Sequence, residues 1–535
     1  MPAVKLNLLD RAIGAIDPAR LTNRIRHRMT HAMIEEYGYP VGGSRNSSLK
    51  NYNPPANTAD EDINDKLESI RGMSRDLYAN SAIANASIKR IKTNVIGSGL
   101  KHRSKLNAAE LGLSDEDANV MAREIEREFG LWAESKYADI THTQNFYQLQ
   151  ALVTANMFLS GDVFVIFCNR EDSDMPYNLR LKVVEADACK HPDDYLPFSE
   201  SGIINGIQYD DDGRPETYHF IKASNSKLNM HSSRFETVGI DAFTECAGIN
   251  RKNVLHLFDR ERPGQRRGLS ILAPVIEQLK MITTLTKSEL DAAVVTSFFT
   301  VFFTSDKPEP IFDGVQEKVE TDKNGNESKK YEMNLGHGSM FELDAGVKPE
   351  FANPNRPNQA FEPFFNALVK QISASISIPF EVVMQCFMSS YSASRAALLE
   401  AWKLFTVQRK FVEDEFCAPT KEAFMLEAVM SERIYAPGFL YDPRVRKAWC
   451  ASTWNGPGQG MLNPVQETTA SVMKIDNCMS TLDAETSATS GAHYEDNVEQ
   501  IARERAFMKK KGVGIIVKGV AVNVSDKKDD TNEDN

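Results

Sequence analysis

Several groups of side chains have the acid, base or metal-ligand character that catalysis needs, and each fails on spacing or surroundings. His27 and His31 stand one helical turn apart, with Glu35 a turn further on, a face that could hold a divalent metal. Arg20, Arg24, Arg26 and Arg28 surround that face and would repel a cation, so a solvated or partner-facing helix is the better account. Asp210-Asp211-Asp212-Gly213 invites a calcium reading. Aligned on its glycine, an EF-hand loop would need an acid where Gln208 stands and a bidentate Glu where His219 stands. The run is read instead as a hairpin turn. Glu185 and Asp187 offer paired carboxylates without a recognised metal pattern around them. Gly456-x-Gly458-x-Gly460 imitates part of a dinucleotide fingerprint but lacks the strand before it and the glycine after it. Neither a G-x-x-x-x-G-K-[ST] phosphate loop nor a G-x-S-x-G elbow occurs. The sequence therefore assigns no catalytic residue, no cofactor and no metal.

Composition narrows the classes further. A chain of 535 residues can bury a sizeable core and form several domains or one elongated subunit. Its seven cysteines are scattered without a Cys-x-x-Cys pair, so neither a zinc cluster nor a disulfide framework is indicated. No run of 18 apolar residues exists, and the N-terminus lacks the apolar core of a secretory signal; no membrane partner is expected. A net charge of −12 argues against tight, sequence-independent grip on nucleic acid. It is compatible with a surface that duplex DNA slides past.

The elements are those of a helix-rich α+β protein. Residues 1–37 form a basic amphipathic stretch and 38–62 an irregular linker. Apolar spacing predicts a helix from about 64 to 95, another over 115–134 with Ser114 as N-cap, and a third over 145–160. Strands follow at 162–168, 179–184 and 254–258, with a hairpin over 204–220 turning at Asp212-Gly213. Residues 262–297 form a basic turn feeding one long helical pattern, and 359–378 is a second helix. The intervening polar excursion carries an Asn324-Gly325-Asn326 hairpin signal and a strand at 340–343. Two helices joined by such an excursion suggest a stalk bearing a small module. A long helix is expected over 395–431 and more helix over 464–511.

Several blocks in order along the chain give a resemblance to the portal proteins of tailed bacteriophages, the lambda-like portal family. They include residues 85–99, Gly161-Asp162-Val163-Phe164, Val184-Glu185-Ala186-Asp187, Asn205-Gly206-Ile207, Asp212-Gly213-Arg214-Pro215 and Tyr218-His219. They continue with 254–258, Arg262-Pro263-Gly264-Gln265-Arg266-Arg267-Gly268, 354–357, Tyr391-Ser392-Ala393-Ser394-Arg395 and Trp454-Asn455-Gly456. The resemblance implies a portal-type subunit with wing, stem, clip and crown regions. Such subunits form a homo-oligomeric ring, typically of twelve, that channels the genome at one capsid vertex. The expected partners are the terminase large subunit, head–tail adaptor proteins, and major capsid or scaffolding protein. Duplex DNA would pass through weakly and without sequence preference. The virion vertex is the implied location, after assembly in the host bacterial cytoplasm.

Mapped on this chain, residues 1–62 would be an arm and linker, 63–262 the wing, and 263–300 the first stem helix. Residues 301–356 would be the clip, 357–378 the second stem helix and 379–394 the tunnel loop. Residues 395–463 would return to the wing, 464–511 form a crown-like helical region, and 512–535 a charged, disordered tail. The apolar stripe of the stalk is read either as core or as a seam between copies, with Leu272, Val275, Ile276, Leu279 and Ile282 packing the stem. On the seam reading, Leu279→Asp disrupts the ring. Met384, Ser389, Ser390, Tyr391, Ser392 and Arg395 would border the tunnel. Glu317, Lys318, Glu320, Lys323, Lys329 and Lys330 would belong to the docking clip. Two other readings stay open: a metal-dependent nuclease or hydrolase acting on phage DNA, and a minor capsid interaction protein that forms no channel.

Overall fold

A computed structural model describes residues 55–192, 202–222, 237–298, 302–305, 316–321, 327–332, 347–350, 360–387, 390–461 and 463–512. The chain divides into Met1–Asp62 and Ile63–Asn535. Within the first unit the described residues lead into a short helix, Ala59–Ile63. Everything below concerns the second.

The apolar pattern over 64–95 produces two helices, α1 (Leu67–Asn80) and α2 (Ala82–Val95), where one was expected. Ser81 between them is extended, at φ −107° and ψ 120°. The break satisfies itself locally: Ser81 N–H donates to Leu77 O, and the Asn85 carboxamide donates to Tyr78 O at 2.8 Å. Helix α3 (Asp115–Ala133) is capped by Ser114, whose hydroxyl accepts from Asp117 N–H, with three acids in the first turn facing the positive helix end. Asn145 and Gln148 form a capping box on α4 (Phe146–Ser160), which stops at Gly161 with φ +91°.

Strands β1 (Asp162–Asn169), β2 (Leu179–Glu185) and β3 (Val254–Phe258) make an antiparallel sheet in the order β3-β1-β2. Both faces of β1 are covered, which is why it reads as an unbroken apolar run. Val163, Val165 and Phe167 face the main core, while Phe164 and Ile166 join a smaller cluster with Ile207, Tyr218 and Phe220. That second cluster lies under a four-stranded sheet containing Ile207–Tyr209 and Pro215–Ile221. The hairpin was expected as one turn at Asp212-Gly213. The chain makes a second turn at Asn205-Gly206, and the register shifts between Gln208 and Tyr209. The main core centres on Phe129, Trp132, Phe146, Phe424 and Trp454, whose rings pack at 5.2–6.0 Å.

The stalk opens later than expected. Residues 263–272 are not helical; a 3-10 turn at Ala273–Val275 precedes α5 (Ile276–Phe298). Two strand pairs follow: Phe302–Ser305 with Val347–Glu350, and Gln316–Thr321 with Glu327–Glu332. The strand expected at 340–343 lies outside the described residues. The chain returns through α6 (Phe361–Ser375), then α7 (Phe380–Met384) and α8 (Tyr391–Val412). Helix α8 starts at Tyr391 rather than 395. It passes through a π turn at Glu413–Cys417 into α9 (Ala418–Met430). Pro419 has no N–H for the carbonyl of Glu415, and the wider turn absorbs that missing bond. Residues 464–511 fold as three helices, α10 (Pro464–Asp476), α11 (Leu482–Ser490) and α12 (Tyr494–Lys511), none of which has a buried residue.

Candidate functional site

Six chain segments meet at one buried carboxylate. Asp162, fully buried at the start of β1, accepts from Arg71 Nη2 at 2.6 Å and from Arg267 Nε at 2.5 Å. His256 Nε2 lies 3.2 Å from Oδ2, the oxygen that Arg267 also reaches. Arg71 is the one charged residue on the apolar face of α1, between Leu67 and Leu77, and it also donates to Ser160 O and Asp187. Arg75, one turn on, pairs with Asp187 and with the hydroxyl of Ser160. Arg267 spends its remaining donors on the carbonyls of Ala186 and Asn205, both at 2.7 Å.

The bend that delivers Arg267 is built for it. Buried Gln265 accepts from the N–H groups of Glu261 and Arg262 and donates to Arg267 O. Gly268 then lies against Gly161, where an added Cβ would sit 2.0 Å from the Gly161 carbonyl oxygen. These contacts fix the residues before α5 to the three-stranded sheet.

Burial alone would raise the Asp162 pKa, but Arg267 and Arg71, with the bond from His256, outweigh it and hold the carboxyl well below the usual range. His256 is lowered too, but by burial, which outweighs Asp162 and keeps the ring neutral, so Nε2–H donates to the carboxylate. Arg267 is pushed above its ordinary value, its loss of water outweighed by Asp162. A carboxylate at 0% exposure, closed in by donors, has no room for a substrate. The cluster is a fastening.

The other chemical candidates are used up in the same manner. Asp187 serves Arg71 and Arg75. Asp210 Oδ1 accepts from Asp212 N–H and Arg214 N–H, so it ties the turn. Gly458 approaches the Thr489 carbonyl so closely that a Cβ would lie 2.2 Å from it, which makes the glycine loop a packing device. His27, His31 and Glu35 lie outside the described residues. Among the described residues no group of three His, Cys, Asp or Glu could hold a metal, and no helix is long and apolar enough to cross a membrane.

The stem residues fall where the seam reading did not put them. Leu272, Val275, Leu279 and Ile282 are 0–2% exposed within the lone subunit, in one core with Val369 and Ile372 of α6, and Ile276 packs against that core. Leu279 is thus covered by its own chain, as the core reading of the stripe has it. The exposed large apolar residues of α5 are Met281 at 62%, Leu290 at 64% and Val294 at 48%. The stretch between α7 and α8 is shorter than the 379–394 loop expected. Met384 ends α7, because Val382 and Val383 bury that turn, and Gln385 leaves it at φ +53°. Ser390 caps α8, Tyr391 opens it, and Ser392 is exposed in its first turn. Arg395 pairs with Glu467 at 3.3 Å. Ser389 and Lys323 lie outside the described residues. Glu317, Lys318 and Glu320 stand on one strand of a hairpin and Lys329 and Lys330 on the other, with Lys318 opposite Lys330. Arg71 and Arg75 were not singled out from sequence; their signal was charge on an otherwise apolar helical stripe.

The family model for "Phage portal protein, lambda family" matches residues 45–409. The chain belongs to that family. Similar proteins include the portal protein of Escherichia phage N15, 23% identical over 514 residues, covering 90% of this chain and 92% of the relative. Portal protein B of Escherichia phage lambda is 23% identical over 501 residues with the same coverage. The probable portal protein of Halomonas phage phiHAP-1 is 21% identical, covering 86% of this chain and 84% of its own. Among solved structures, the neck of an empty gene transfer agent particle gives a TM-score of 0.40 at 11% identity, over 83% of this chain and 98% of that one. The family is structural and not enzymatic.

Asp162→Asn is expected to cost about 3–5 kcal/mol at neutral pH by urea unfolding, because it leaves two buried guanidiniums unmatched. Stability equal to wild type would contradict the fastening. Both folded-state values, Asp162 and His256, lie below their unfolded ones. Their contributions are therefore complete above the unfolded values and fade as pH falls, from about pH 6.5 for His256 and about pH 4 for Asp162. The wild-type loss between those pH values is expected to be smaller in His256→Gln; an unchanged slope would remove His256 from the account. Gly268→Ala is expected to cost more than the about 1–3 kcal/mol of ordinary overpacking, read as a fall in melting temperature.

Proposed function

We propose that copies of this chain close into a ring, of twelve as the family resemblance implies, at one vertex of a phage capsid. The ring is the channel for DNA packaging and ejection and the head–tail connector. The carrying observation is the lambda-family portal match across residues 45–409, with lambda and N15 portal proteins aligned over 90% of the chain. On this reading residues 63–262 are wing, the bend at Arg267 and α5 form the first stem segment, 301–356 the clip, and α6 the second stem helix. Residues 385–390 border the tunnel, and 464–511 form the crown.

Two physical features support closure by copies of the same chain. Beyond Ile282 the stem helix exposes Leu290 and Val294, and the three C-terminal helices expose Val465 at 76%, Met473 at 60% and Phe507 at 62%. Apolar surface on this scale marks contact with another chain. The overall acidity favours a wall that repels the duplex and lets it slide. The strand pair 316–321 and 327–332, charged on both sides, is the proposed docking surface for the terminase large subunit and head–tail adaptors. Capsid or scaffolding protein would surround the wing, and assembly would take place in the host cytoplasm.

Native mass spectrometry of co-expressed material separates core from seam. Leu279→Asp is expected to abolish the folded subunit. Leu290→Asp is expected to leave a folded monomer, of wild-type circular dichroism, that does not form rings. Full ring yield from Leu290→Asp would refute the seam on α5, and a strictly monomeric wild type would refute the ring.

A further inference from the structure

A cleft of about 480 Å³ opens beside the fastening, between the Asp210–Gly213 turn and the bend at Gly264–Arg266. Tyr218, Val254 and Phe258 form much of its apolar lining, and the far wall reaches Glu415 of the π turn. Lys252, Arg260 and Arg266 line it, against the carboxylates of Asp212 and Glu415. Arg214 stands beside it over the ring of Phe243. In a chain with a net charge of −12, a mixed polar and apolar cleft lined by three cations against two carboxylates departs from the overall acidity.

The arginines are already stacked. Arg266 lies 4.7 Å from the centre of the Tyr209 ring, Arg214 4.4 Å from Phe243 and Arg260 5.6 Å from Phe258. Stacking occupies the ring faces, so they are not offered to nucleobases. A guanidinium held near a ring can still pair with a carboxylate through two N–H groups. A duplex backbone presents unbroken negative charge and would meet Asp212 and Glu415 as well as the cations. A peptide places its acids selectively. The hollow is large enough for one or two side chains.

We propose that this cleft is a docking site for an acidic segment of a protein partner, one bulky apolar side chain entering the hollow and flanking carboxylates pairing with Lys252 and Arg260. The site lies on the wing and is independent of the residues proposed for the ring seam, clip or tunnel.

Fluorescence anisotropy with the full-length protein tests it, using a labelled short peptide of Asp and Glu around one central Phe. A second probe carries Lys at every acidic position. The acidic peptide is expected to bind and the lysine peptide not. The double variant Arg260→Glu with Lys252→Glu is expected to weaken binding about ten-fold or more at unchanged melting temperature. Unlabelled duplex DNA is expected to leave the peptide bound. Failure of the acidic peptide to bind, equal binding of both peptides or unaltered affinity in the double variant would overturn the proposal. Displacement by duplex would overturn it in favour of DNA, and binding by monomer but not by ring in favour of a seam between copies.

Discussion

A carboxylate withdrawn from water must be met by positive charge from its own chain, and Asp162 is met from two sides. Arg71 reaches it from an early helix and Arg267 from the bend before the stalk, nearly 200 positions further along. Neither arginine tolerates burial without the carboxylate, and the carboxylate tolerates none without them. The three groups therefore fix α1, β1 of the three-stranded sheet and the bend before α5 in a single relation. His256, neutral and bonded to the same carboxylate, adds the third strand to that agreement. The paired glycines 161 and 268 let the two backbones come close enough for the bonds to form.

From that fixed foot the stalk changes character along its length. One face of its start is covered by the subunit core through Leu272, Val275, Leu279 and Ile282. Beyond them Leu290 faces outward, and the C-terminal helices bury nothing within the chain. A rigid foot with an unfinished apolar shaft suits a part completed by its neighbours. Portal-family membership supplies the reason such incompleteness is tolerated.

Much of this architecture was legible in the residues. Ser114 as a cap, the helix over 145–160 and the strand at 254–258 follow local rules that tertiary packing did not override. The blocks that carry the family resemblance also prove to be spatially joined, since Gly161-Asp162, Ala186-Asp187, Asn205, His256 and Arg267 all meet at the fastening. Their meeting was not readable, because pairing across about a hundred residues leaves no periodic signal. The break at Ser81 was hidden for a related reason: apolar spacing continues through it, and only the local hydrogen bonds reveal it. Leu279 and Leu290 share the same stripe in the sequence. Which of them is core depends on where α6 returns, and spacing within one helix says nothing of that.

The central claim is that the fastened subunit becomes useful only when copies close about an axis. Electron microscopy of the purified, co-expressed protein tests this most directly. The account predicts end-on class averages of uniform rings with a central opening wide enough for a double helix. Compact single molecules, or closed assemblies without an axial hole, would contradict it.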